Sequence, residues 1–109
     1  MKYKTTVSTQ LSQEVEVDID LPYYCSLDGK YYEIKERSPG SVSIPFIAIV
    51  VNLRGKEDYG IPEIAFVLLN SSEVWKMQNT YLRIPMTEFV TAFYKANEHF
   101  RYMFLMGGR

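Results

Sequence analysis

The dipeptide Asp28-Gly29 stands between two runs of alternating side chains, and no other feature constrains the fold of this chain as tightly. Both central residues of a two-residue type I′ turn need positive φ, a geometry that Asp-Gly accepts. A two-residue loop here sets Tyr23 opposite Ile34, Cys25 opposite Tyr32 and Leu27 opposite Lys30. Directly opposed residues share a face. Tyr23, Cys25, Leu27, Tyr32 and Ile34 therefore line one face, which reads as core. Tyr24, Ser26, Tyr31, Glu33 and Lys35 line the other, which reads as wet.

The flanking segments extend this hairpin into a sheet. Lys2 to Thr9 alternates with period two, and so does Glu14 to Leu21, where Val15, Val17, Ile19 and Leu21 share a face. Pro22 bends or ends that strand. Ser38-Pro39-Gly40-Ser41 has turn chemistry. Val42 to Leu53 reads as a long strand, and its apolar stretch Phe46–Val51 predicts a central position covered on both faces. Arg54 to Pro62 is a charged loop, and Ile64 to Leu69 reads as a second buried strand. Asn70-Ser71-Ser72 caps one short helical turn carrying Trp75, and Tyr81 to Ile84 is a brief strand stopped by Pro85.

From Thr87, an N-cap residue, Phe89, Phe93, Ala96, Phe100 and Met103 recur at helical spacing until Gly107-Gly108. Their stripe is expected to pack on Val15, Val17, Ile19 and the Phe46–Val51 strand. Strands followed by a helix predict an α+β domain over residues 1–109. It consists of an antiparallel β-sheet of about five to six strands, with a C-terminal amphipathic helix packed on one face.

Composition narrows the function classes. The 109 residues are 47% hydrophobic and 15% aromatic, which excludes a disordered tail. Twelve basic residues against thirteen acidic ones leave a formal charge of −1, which excludes a general polycation for nucleic acid or anionic membrane. A single cysteine makes no internal disulfide, so a reducing, cytoplasmic setting is expected. No apolar stretch follows the basic start, so no signal peptide is expected. The Phe46–Val51 run is far short of the roughly 20 residues that span a bilayer.

Catalytic chemistry finds little footing. Cys25 and His99 are the only pair suited to a thiol nucleophile and its base, yet the hairpin register buries Cys25. Zinc needs clustered Cys and His, and the calcium-loop, phosphate-loop, dinucleotide and serine-hydrolase motifs are missing. The expectation is a protein that is not an enzyme and holds no cofactor or metal.

Two surfaces invite a partner instead. Glu14, Glu16, Asp18 and Asp20 point the same way, with no lysine between them, and such a row complements a basic groove. Tyr24 and Tyr31, with Lys35 beside them, form an aromatic patch on the face read as wet. Together these residues predict a small inhibitor or adaptor that docks on a larger, nucleic-acid-handling protein, a type common among accessory proteins of phages and mobile elements. The alternative is a single-stranded nucleic-acid-binding domain with an aromatic sheet face. It is the weaker reading, because no segment forms a basic block. Tyr102, Phe104, Leu105 and Met106 widen the apolar surface of the last helix beyond one stripe, which suggests a homodimer contact there.

Overall fold

The computed structural model describes residues 2–7, 13–37, 43–54 and 61–107, with side chains described from residue 16 to residue 101. The turn expected at Ser38–Ser41, most of the Arg54–Pro62 loop and the side chains of Glu14, Tyr102, Met103, Phe104, Leu105 and Met106 lie outside these limits.

Among the described residues, seven strands and two helices follow in order: β1 (Lys2–Val7), β2 (Gln13–Asp18), β3 (Tyr23–Leu27), β4 (Lys30–Glu36), β5 (Phe46–Asn52), β6 (Glu63–Leu69), α1 (Ser71–Thr80), β7 (Leu82–Arg83) and α2 (Met86–Gly107). β1 and β2 pair as an antiparallel ribbon, and the rest form an antiparallel five-stranded sheet in the order β6-β5-β4-β3-β7. The fold is α+β with an antiparallel sheet.

The β3–β4 turn has the expected geometry. Asp28 and Gly29 take φ of 51° and 79°, and Tyr23 pairs with Ile34, Cys25 with Tyr32 and Leu27 with Lys30. Gly29 suits the positive φ, and a Cβ there would sit 3.0 Å from Nε of the exposed Arg54 side chain, which would have to shift. The same register carries into β5 and β6, aligning Tyr32, Val50 and Ala65 in one row and Tyr31, Val51 and Ile64 in the next.

Both faces of the sheet are covered, and this redistributes the expected contacts. On one face, Cys25, Ile34, Phe46 and Ala48 form a core with Val17 and Ile19 from the ribbon side and Val74 and Met77 of α1. On the opposite face, α2 lays Phe89, Ala92 and Ala96 on Val51, with Phe93 and Phe100 beside them. The helix stripe thus reaches β5 as expected, whereas Val17 and Ile19 belong to the other core. The physical reason lies in the row read as wet. Tyr24 and Tyr31 present two aromatic rings beside Ile49 and Val51, enough apolar area to hold a helix.

Two further elements differ from their sequence reading. α1 runs for ten residues rather than one turn, because Asn70 and Glu73 form a reciprocal capping box. Asn70 Oδ1 accepts from the Glu73 backbone N–H at 2.8 Å, and Glu73 Oε1 accepts from the Asn70 N–H at 3.1 Å. β6 is an edge strand, with Phe66 69% exposed, Val67 40% and Leu68 47%. A continuous apolar run looks the same whether one or two strands flank it.

Phe89 is 4% exposed and sits 5.7 Å from the Tyr24 ring. Phe89→Ala is expected to cost about 3–5 kcal/mol of stability, measured by denaturant unfolding, because the sheet cannot collapse into the vacated space.

Candidate functional site

The acidic row, the tyrosine face and the Cys–His pair each meet a different fate in the fold. Glu16, Asp18 and Asp20 are exposed, and each already has an interaction partner. The ribbon register sets Lys4 opposite Glu16 and Lys2 opposite Asp18. The row lacks a lysine along its own strand, and the register sets two at opposing positions.

The tyrosine patch is not the open surface expected of it. Tyr24 and Tyr31 are half-buried and pack against the α2 core. The Tyr24 hydroxyl donates to Glu33 Oε2 at 2.7 Å, and Lys35 Nζ pairs with Glu33 Oε1 at 3.1 Å. Glu33 thus gathers Tyr24 and Lys35 into one network at the rim of the helix, and only Lys35 is solvent-exposed. Burial and this hydrogen bond to a carboxylate push the Tyr24 hydroxyl up to about 12.

Cys25 and His99 are kept apart by the sheet. Cys25 is fully buried on the α1 side, and burial pushes its thiol up to about 12. His99 lies on α2, which packs on the opposite face. A thiol held neutral in an apolar core is no nucleophile. Among the described residues, no three His, Cys, Asp or Glu side chains gather to hold a metal ion, and no helix is long and apolar enough to cross a membrane.

The fold also forms a concavity that the sequence did not announce. A groove of about 660 Å³ runs between α1 and the β4–β5–β6 part of the sheet. Its floor is Ala48, Val50, Ala65 and Val67, and the registers Ala48–Val67 and Val50–Ala65 set an alanine against a valine in each row. Small side chains there leave the sheet low beneath the helix. Met77, Tyr32 and Tyr81 wall the groove, the two rings 5.3 Å apart and tilted by 54°. Burial first, and then the neighbouring Tyr81 with its hydrogen bond, push the Tyr32 hydroxyl up to about 12. Charge appears only at the rim, where Lys30 and Lys76 are matched by Glu63 and Glu73. The one sequence signal for this site is the pair of alanines inside otherwise bulky apolar strands.

Comparison with known proteins finds no family model, no curated relative and no solved structure that matches the chain.

The raised acidities give a pH dependence with a definite sign. Native Cys25, Tyr24 and Tyr32 keep their protons to about 12, above the ordinary 9.0 of a thiol and 10.0 of a phenol. The unfolded chain therefore binds fewer protons above those ordinary values, so stability falls as pH rises. Unfolding curves are expected to show this contribution intact below about pH 9 and lost between about pH 9 and 12. In the same experiments, Cys25 should resist an aromatic disulfide reagent at mildly alkaline pH until the protein is unfolded.

Proposed function

We propose that this chain is a non-catalytic protein-binding module that takes an apolar segment of a larger partner into the groove between α1 and the sheet. The observation that carries the reading is the groove itself. Its floor is alkyl, its walls are aromatic and thioether, and its charged groups stand at the rim. Pockets of this size and lining hold apolar groups and use a few polar contacts at the edge for orientation. The rim charges balance, two lysines against two glutamates, so the favoured ligand is an uncharged apolar stretch rather than a polyanion.

Such a module serves as an inhibitor or adaptor. Glu16 and Asp18 on β2, with Asp20 just past it, are exposed although each already has an interaction, and a basic partner, including a nucleic-acid-handling protein, is the kind they favour. Direct binding of single-stranded nucleic acid has less behind it. α2 packs over the aromatic face that would stack bases, and the groove rim provides no positive track.

The test is site-specific photocrosslinking in lysate of the cells that make the protein. A crosslinker at Lys76, on the groove rim, should capture one partner, and a crosslinker at Tyr94, on the exposed side of α2, should not. Thr80→Trp narrows the groove from its α1 side and should abolish that capture without lowering the melting temperature. Equal capture from both positions, or full capture by the Thr80→Trp variant, would remove the groove from the binding surface.

A further inference from the structure

The groove beside α1 has an alkyl floor whose backbone offers nothing to a ligand lying on it. Ala48 and Val50 belong to β5, which is paired with β4 on one side and β6 on the other. Ala65 and Val67 belong to β6, whose unpaired backbone groups point outward in the plane of the sheet rather than up into the groove. An extended segment laid on this floor would set its own N–H and C=O groups against carbon, where they stay unmade at a cost. An α-helix closes those bonds within itself and presents only side chains.

The open strip is also one helix wide. α1 buries Val74 and Met77 with Cys25, Ile34 and Ala48 of β3, β4 and β5, which centres it over β4. Packed helices lie about 8–10 Å apart, and two strand spacings span about the same distance. A helix packed against the groove side of α1 therefore lies over Val50, Ala65 and Val67, and the two alanines of the floor let it come close. The seven residues of β6 run for about 20 Å, the length of about 14 helical residues. On the α1 wall, Glu73 is held in the helix cap by the Asn70 N–H at 3.1 Å, which leaves the exposed Lys76 as the wall charge for a ligand.

We propose that the occupant of the groove is an amphipathic α-helix of the partner, lying beside α1 as a second helix on that face of the sheet. This rests on the reading of the groove as the partner-binding site, and adds the conformation and charge pattern of the segment it takes. The apolar stripe of the helix, at i, i+3, i+4 and i+7, sits on Ala48, Val50, Ala65 and Val67. The flank turned towards α1 carries a carboxylate that meets Lys76.

The test is display selection of random peptides of about 14 residues on the full chain, followed by binding to two groove variants. Thr80→Trp narrows the groove, and Val67→Glu sets a carboxylate on its floor at a position that is 40% exposed and tolerant of the change. Peptides that bind the wild-type chain and lose both variants should repeat apolar residues at i, i+3, i+4 and i+7, with Asp or Glu on one flank. Circular dichroism should show them gaining helix on binding, and a lactam bridge from i to i+4 should preserve their affinity. A central proline should weaken them at least roughly tenfold. Selection on Lys76→Glu should turn the flank basic, and a flank that stays acidic would overturn the pairing with Lys76. Groove-dependent peptides that alternate with period two, tolerate the proline and fail when bridged would overturn the helix while keeping the groove. A selection that yields no peptide sensitive to Thr80→Trp and Val67→Glu would remove the groove reading and the helix with it.

Discussion

The Asp28-Gly29 turn is the constraint on which the rest of the sheet depends. Its two positive φ values allow a two-residue loop, and that loop sets every pair from Leu27–Lys30 to Tyr23–Ile34. A slip of one residue would exchange the two faces of the hairpin and send Cys25 and Ile34 to the side of Glu33 and Lys35. β5 takes its register from β4, and β6 takes its own from β5, so the rows of both cores descend from one turn. Arg54 packs over Gly29 and the Leu53 N–H donates to the Gly29 carbonyl, so the chain leaving β5 holds the turn from above.

A sheet with apolar groups on both faces needs two covers, and the chain divides its apolar stock accordingly. α2 brings Phe89, Ala92 and Ala96 to one face, the alanines letting the helix approach Val51 closely. α1 and the ribbon side cover the other face, but α1 is only ten residues long and leaves the outer rows of β4, β5 and β6 partly open. The groove and the exposed β6 edge are thus two consequences of one shortage. Among the described residues, two helices and a ribbon do not fully roof five strands.

Much of the local structure was legible because it depends on neighbours in sequence. The hairpin register followed from two turn residues, the central place of Phe46–Val51 from its unbroken apolar run, and α2 from the spacing of Phe89, Phe93, Ala96 and Phe100. The Asn70-x-x-Glu73 box was equally present in the sequence, and it marks a longer helix than Asn70-Ser71-Ser72 alone suggests. Tyr24 and Tyr31 were harder to place. A tyrosine ring is apolar enough for a helix to cover and polar enough for water to wet, so its burial depends on what arrives above it.

What the sequence by itself determined is which residues share a strand face, which share a helix stripe, and that no familiar catalytic motif is present. These properties follow from periodicity and turn geometry, which act over a few residues. Only the tertiary structure decided which face α2 covers, that Cys25 and His99 lie on opposite sides of the sheet, that β6 ends the sheet, and that a groove opens beside α1. Those outcomes depend on how much apolar area each element offers to every other. That competition is settled between segments far apart in the chain, and no local pattern records its result.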